Sequence, residues 1–312
     1  MSETAYDEAL RGAPEATFFH TRIWGRIVTG AFPQLEDASR TLEVDGRICA
    51  VPLYIWRRLG GLLRTTHSSF PYLYGGPVPA SPKSWAAVGA FLADQSGSHV
   101  ISGNPFASPE GQEEPAGFRI CAETTHICRL PGSPEAFWSD VLTSRKRNDI
   151  RRLSRKGVKV ELSRSRADIH TVHALYLKRM ESWTQRPGLI YPARLYELLL
   201  ELGGEHARLY VARFENRIIG GTFVCRYNGI SHYLAGYFDH DASRLRPNVL
   251  VQERIIRDAI TDGFPTYDML PSAGLASVEA FKESFGGVRT PFARWERTGH
   301  LHRLLGRMRG RR

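Results

Sequence analysis

Close to the C-terminal end of the chain, the run Tyr267-Asp-Met-Leu-Pro-Ser-Ala-Gly-Leu-Ala-Ser-Val-Glu-Ala-Phe-Lys-Glu-Ser-Phe-Gly286 places a carboxylate, a turn and a lysine within a few residues of one another. Asp268 closes a predicted short strand, and Pro271, Ser272 and Gly274 supply turn chemistry. Ser277 is suited to cap a short helix. On that helix Val278, Phe281 and Phe285 fall at i, i+3 and i+7, the spacing of a buried stripe, with Lys282 on its shoulder and Gly286-Gly287 as the stop signal. An ammonium fixed beside a strand end, over a turn that can open onto a cleft, can stabilise developing negative charge. Solvated lysines at helix shoulders are common, but this sequence uses lysine sparingly: six of its 42 basic residues are Lys and the rest Arg.

The second chemical feature is a cationic helix, Arg145-Lys146-Arg147-Asn-Asp-Ile-Arg151-Arg152-Leu-Ser-Arg155-Lys156, stopped by Gly157. Ile150 and Leu153 give it a narrow apolar face. At 100° per residue the arginines and Lys156 cover about half of the helix surface. Like charges in such number repel, so a face of this kind implies an anionic partner.

The totals agree with an anionic partner and exclude several classes. The 312 residues carry a formal charge of +10 and a pI near 9.7, with 42% hydrophobic and 24% charged residues. That is the balance of a globular chain with one large or two medium domains. No apolar run reaches the roughly 18 residues needed to span a bilayer, and the first residues lack the basic and apolar regions of a signal peptide. A cytoplasmic monomer without stable membrane insertion is expected. Cys49, Cys121, Cys128 and Cys225 have no metal-site or disulfide-framework spacing. There is no G-x-S-x-G, Walker-type loop or H-E-x-x-H, and His170-x-x-His173 stands alone on a helix, so no metal and no resident cofactor are expected.

The positioning elements read as two α/β modules. In the first, 40–56 reads as a strand or a hairpin about Asp45-Gly46, a strand across 70–78 is interrupted by Gly75-Gly76-Pro77, and a helix near 83–94 is followed by strands near 99–103 and 118–130. The polar stretch 107–116 reads as a surface loop. Ser133-Pro-Glu opens a helix that breaks at Thr143-Ser144 before the basic segment. The second module reads strand 158–164, helices 166–183 and 192–202, and strands 206–213, 217–226 and 231–238. Helix 248–262, the Asp268 strand, the Lys282 helix, a strand near 289–297 and a basic tail over 300–312 complete it. The predicted division is 1–132, a connecting helix 133–157, and 158–312.

These motifs, in this order, resemble the Fem-type branch of the GNAT superfamily, the aminoacyl-tRNA-dependent transferases. The residues that carry the resemblance are Arg145–Gly157, Pro247-Asn248, Gly263…Tyr267-Asp268, Gly274 and Phe281-Lys282…Phe285-Gly286. In the first half, Phe19-His…Trp24 and Gly76-Pro77-Val78 add to it, so it covers nearly the whole chain. It implies an α/β fold of tandem GNAT-like domains, two mixed sheets flanked by helices, here without room for a long coiled-coil insertion. It also implies transfer of an amino acid from aminoacyl-tRNA, as co-substrate, to the amine of a small metabolite, antibiotic intermediate or peptidoglycan precursor.

The roles that the resemblance implies are these: Lys282 and Phe281 at the donor ester; Arg145, Lys146, Arg147, Arg151, Arg152, Arg155 and Lys156 on tRNA; Trp24, Tyr74, Gly76 and Asp268 near the acceptor. The sequence departs from the family pattern after Gly-Pro-Val, where Pro79-Ala80 stand in place of an acidic residue. Two alternatives remain open. One is an N-acyltransferase using acyl-CoA or an acyl carrier, although His240–Asn248 lacks the glycine-rich amide loop that holds a pyrophosphate. The other is a non-catalytic, basic module that binds tRNA or a membrane surface.

Overall fold

The structure, a computed structural model, describes residues 3–70, 73–107, 117–181, 189–272 and 274–300. In chain order the regular elements begin with α1 (Glu3–Arg11), α2 (Arg22–Ala31), β1 (Leu35–Asp37), β2 (Arg40–Val44), β3 (Arg47–Val51) and β4 (Tyr54–Arg58). There follow β5 (Leu63–His67), α3 (Pro82–Ala93), β6 (Ser98–Ser102), β7 (Arg119–Arg129), the single turn α4 (Pro134–Ala136) and α5 (Ser144–Ser154). Next are β8 (Lys159–Ser163), α6 (Arg166–Glu181), α7 (Ala193–Leu202), β9 (Ala207–Phe214), β10 (Arg217–Tyr227) and β11 (Ile230–Phe238). The last are α8 (Pro247–Thr261), β12 (Thr266–Asp268), α9 (Ala276–Glu283) and β13 (Val288–Arg297).

The chain forms two compact units, one of residues 1–124 and 290–312, the other of residues 125–289. This division differs from the predicted boundaries at 132/133 and 157/158. It falls inside β7 and inside β13, two uninterrupted strands, where composition and turn residues change too little to mark a boundary. The basic helix belongs to the second unit, and most of β13 returns to the first.

In the first unit, β4 runs antiparallel to β1 and β5, β5 is parallel to β6, and β6 pairs antiparallel with β13. The hairpin predicted about Asp45-Gly46 forms as a separate two-stranded sheet of β2 and β3. Helix α3 starts where Ser81 accepts the Ser84 amide at 3.0 Å and Pro82 occupies the first turn, an order favoured at helix starts. Its buried Trp85, Val88 and Leu92 pack with Val51, Ile101, Phe118 and Trp295, the two indoles lying 4.3 Å apart.

The strand expected across 70–78 is not formed by the described residues of that stretch. Among the described residues only a single bridge, Ala50 to Val78, is made there. The glycines have a packing role instead: Gly76 sits at φ +88°, and a Cβ on it would lie 2.4 Å from the Trp85 ring. The predicted loop at 107–116 lies outside the described residues except for Ala107, as does the basic tail from 301 onward.

In the second unit the strand order is β7-β12-β11-β10-β9-β8. All neighbours are antiparallel except β11 and β12, which run parallel. Helix α8 shields this sheet with Val249, Val251, Ile255, Ile256, Ala259 and Ile260. Helix α6 packs against β9, β10 and β11 with buried Ile169, Val172, Tyr176 and Met180, spaced three, four and four residues apart as a helical face requires. The predicted elements of this half are all found within a few residues of their expected ends. All four cysteines are free, and among the described residues no helix is long and apolar enough to cross a membrane.

The Gly76 contact yields a stability prediction. Gly76→Ala is expected to destabilise the first unit by about 2–4 kcal/mol, combining left-handed strain with overpacking against a ring that cannot move aside. Chemical denaturation would measure it, and an unchanged midpoint would contradict the packing role.

Candidate functional site

The two parallel strands of the second unit diverge at their C-terminal ends. They pair only over Ile230–His232 and Thr266–Asp268. Beyond that, β11 continues to Phe238 beside β10, while the chain leaves β12 through Leu270, held at φ +54°. Divergence at the carboxyl ends of neighbouring parallel strands is where α/β sheets open to ligands.

Asp268 holds this fork together. Its carboxylate is fully buried; Oδ1 accepts the Thr125 hydroxyl at 2.7 Å and the Leu270 amide at 3.1 Å, and Oδ2 lies 2.9 Å from His232 Nδ1. An ionised carboxylate only accepts, so His232 carries its proton on Nδ1. Asp268 thus ties three strands to the turn that follows it. The acceptor-binding role implied for Asp268 gives way to an internal one, because both oxygens are already engaged within the unit.

Lys282 rises to the same turn from α9. Its side chain is 6% exposed, and Nζ donates to the Leu270 carbonyl at 2.5 Å. Burial pushes its pKa down to about 8, opposed by the negative charges of Asp268 and Glu279. Of the expected buried stripe only Phe285 is fully buried. Lys282 is the buried residue of α9, while Val278 and Phe281 are only half-buried. Ser277 lies inside the helix, whose N-cap is Leu275 without a side-chain bond. The reason is the fork: a polar acceptor, the Leu270 carbonyl, draws the lysine inward.

Phe281 and Phe285 form the platform beneath α9, 5.3 Å apart, and the Lys146 ammonium stands 4.7 Å over Phe285 and 5.7 Å over Phe281. This cation–π contact fastens α9 to the first turn of α5.

Sequence reasoning missed His126, on β7. Its carbonyl accepts the Met269 amide at 2.9 Å, its ring is fully buried, and neither ring nitrogen has a hydrogen-bond partner among the described residues. Glu283 comes to 3.9 Å of Nε2. Burial first, and then the Lys282 charge, hold its pKa below the usual imidazole range against Glu279 and Glu283. His126 and His232 sit within apolar strand runs. Their only sequence signal was a titratable residue in an otherwise buried strand.

The residues of the basic helix divide into two groups. Arg147 Nη1 closes the preceding π-helical turn (Phe137–Val141), donating to the carbonyls of Trp138 at 3.1 Å, Ser139 at 2.9 Å and Leu142 at 2.6 Å. Lys156 donates to the Arg244 carbonyl at 2.6 Å, and Arg152 pairs with Asp149 at 2.6 Å. Arg151 lies 5.3 Å over Trp138 with its side chain exposed, and Arg145 and Arg155 are exposed as well. Arg147, Arg152, Lys156 and Lys146 thus have internal tasks that the helical wheel did not show.

Trp24 and Tyr74 belong to the first unit, in one aromatic cluster through Phe19, at 5.3 and 6.2 Å from its ring. Both are buried, so they and Gly76 shape the core of that unit. His170 and His173 do not form a pair: the first bonds Glu197 at 2.8 Å and the second the Tyr191 carbonyl at 2.9 Å.

Residues 144–283 match the family model for the acetyltransferase (GNAT) domain, a span that contains the fork, α9 and the basic helix. No curated protein matches the sequence. Among solved structures, FemX is similar at a TM-score of 0.71 and 12% identity, over 99% of this chain and 98% of that one. The C-terminal domain of a putative lysylphosphatidylglycerol synthetase from Agrobacterium fabrum is similar at a TM-score of 0.59 and 14% identity, over 97% and 93%. L-PGS from Bacillus licheniformis is similar at 0.55 and 12%, over 100% and 97%. The chain therefore has the Fem-like GNAT fold, and its residues 144–283 match the GNAT acetyltransferase domain.

The depressed lysine gives a test independent of activity. Between about pH 8 and the ordinary lysine value, the unfolded chain binds a proton that the folded chain has released, so stability contributed by this group rises with pH across that window. Lys282→Met should abolish the rise while remaining near wild type in stability at pH 7, since the lost Leu270 bond and the removed burial cost oppose one another. Melting curves from about pH 7 to 10 would show it; parallel curves for the two proteins would place the lysine in solvent.

Proposed function

We propose that the protein transfers an aminoacyl group from aminoacyl-tRNA to an amine, forming an amide. The observation that carries this reading is Lys282, a buried ammonium aimed at a backbone carbonyl beside the fork in a GNAT-type domain. The amine nitrogen attacks the ester carbonyl carbon and a C–N bond forms. Negative charge builds on the carbonyl oxygen, where the Lys282 ammonium, replacing its bond to Leu270, stabilises it. The C–O bond to the ribose then breaks, and the proton lost by the amine ends on the departing ribose oxygen. Because an aminoacyl ester is already activated, positioning and charge stabilisation suffice without a covalent enzyme intermediate.

The segment before α8 supports aminoacyl-tRNA over a coenzyme A donor. It contains no glycine and carries Asp239 and Asp241, paired with Lys178 and Arg217, where a pyrophosphate would need open amides and positive field. Arg246, at the start of α8, is bound to Asp149 of α5. The likeness to FemX supports the same donor, and the acceptor is an amine-bearing small molecule or cell-wall precursor. The tRNA backbone is met by the exposed Arg145, Arg151 and Arg155.

Incubation with charged tRNA and a panel of amines, with and without ribonuclease, tests the reading. Ribonuclease-sensitive amide formation is expected, with Lys282→Met lowering single-turnover rates roughly a hundredfold and Lys282→Arg restoring only part. Transfer from acetyl-CoA with micromolar binding would replace this reading by the acyl-CoA one.

A second measurement concerns binding. Arg145→Gln and Arg155→Gln should each flatten the salt dependence of tRNA affinity by a slope of about one. Arg147→Gln should instead lower stability, because its guanidinium closes the π-helical turn. A slope unchanged by the first two would move the tRNA to another surface.

A further inference from the structure

The hairpin of β4 and β5 in the first unit ends in Arg57-Arg58-Leu59-Gly60-Gly61-Leu62-Leu63-Arg64. Three features of this tip oppose folding in water. Leu59 and Leu62 are 63% and 74% exposed, among the most exposed large apolar residues described. Leu59 is also held at φ +49°, a left-handed conformation that a bulky side chain resists, although Gly60 and Gly61 beside it take positive φ without cost. Finally, Arg57 and Arg64 are direct cross-strand partners, an unfavourable juxtaposition of like charges. Glu36 compensates Arg57 at 2.7 Å, and no carboxylate is paired with Arg58 or Arg64 among the described residues.

Aromatic packing holds the base of the hairpin. Trp56 stacks on Phe70 at 5.4 Å and meets Phe32 at 6.0 Å, with the Arg58 guanidinium 5.7 Å from the Trp56 ring. The result is a fixed stem, a collar of arginines and an aliphatic tip.

We propose that this hairpin docks the protein on an anionic lipid bilayer, with Leu59 and Leu62 entering the headgroup–acyl boundary and Arg58 and Arg64 meeting lipid phosphates. Aliphatic leucines offer no stacking surface to nucleic-acid bases, so the tip does not suit single-stranded RNA. Their removal from water needs an apolar phase, and the collar selects one with negative charge at its surface. Apolar and electrostatic contributions of this size are weak singly and give reversible binding together. The proposal concerns the first unit alone and stands whether or not the transferase reading does.

The test uses the full chain and vesicles of phosphatidylglycerol with phosphatidylcholine, against phosphatidylcholine alone. A chain of charge +10 can adhere to anionic vesicles through any basic surface, so insertion depth decides. In Leu62→Trp the added indole should shift to the blue and be quenched by acyl-brominated lipid, beyond the response of the native tryptophans. Leu59→Ser/Leu62→Ser should lower partitioning about tenfold or more at an unchanged melting temperature. Arg58→Gln and Arg64→Gln should each lower it about fivefold, and high salt should erase that difference. Binding that leaves the introduced indole unquenched, a serine variant that partitions like wild type, or no binding at all would each overturn the proposal. So would a tip whose leucines instead mediate self-association, seen as a sedimentation coefficient reduced by the serine changes.

Discussion

The carboxylate of Asp268 is the constraint on which the second unit's site depends. A buried carboxylate is tolerated only when its oxygens are supplied with donors, and here Thr125 from β7, His232 from β11 and the Leu270 amide supply them. Those bonds fix where β12 stops and how the chain turns away. The turn sets the direction of the Leu270 carbonyl, and that carbonyl fixes the Lys282 ammonium. Each step depends on the one before it. Replacing Asp268 would release the turn before it touched any substrate, so a loss of activity there would report positioning.

Much of the second unit was legible because its signals are local. The Pro247–Gly263 helix, the cap at Ser133 and the break at Thr143 follow from residue types at fixed offsets, and the elements lie where those offsets put them. Lys282 was legible for its identity and its place after a strand end. Its burial was not, because an apolar periodicity of Val278, Phe281 and Phe285 points the opposite way, and only the tertiary position of the Leu270 carbonyl reverses it. Arg147 shows the same limit. On a helical wheel it is one cation among several, whereas the π-helical turn that it closes is formed by residues outside the helix. In the first unit, Gly75-Gly76 read as an interrupted strand, yet the glycines are there to admit Ser68 and Trp85. A close approach and a strand break leave the same mark in a sequence.

The basic helix also shows how a high positive charge can be compatible with a stable fold. Repulsion within α5 is relieved by dispersing its charges onto different acceptors: carbonyls for Arg147 and Lys156, Asp149 for Arg152, and aromatic faces for Lys146 and Arg151. The Lys146 contact comes with a lowered pKa, since burial and then the Arg246 charge hold it below the ordinary lysine value. It also joins α5 to the Phe281–Phe285 platform of α9. The helix that would meet an anion is thus mechanically connected to the helix that carries Lys282. Apart from Phe285, two residues beyond its end, the members of that connection lie within the span matching the GNAT domain.

His126 and Lys282 limit one another in a way that bears on chemistry. Each is buried, and the Lys282 charge is among the causes that lower the imidazole's pKa, so the pair favours one positive charge rather than two. Near neutral pH the charge resides on Lys282, whose pKa of about 8 lies above the depressed imidazole range. That leaves His126 neutral, with ring nitrogens that have no hydrogen-bond partner among the described residues. A site of this kind holds a proton acceptor and a cation side by side without their neutralising each other as an ion pair would. Negative charge placed near Lys282 would raise the proton affinity of both groups together. The coupling is electrostatic and needs no movement of the fold.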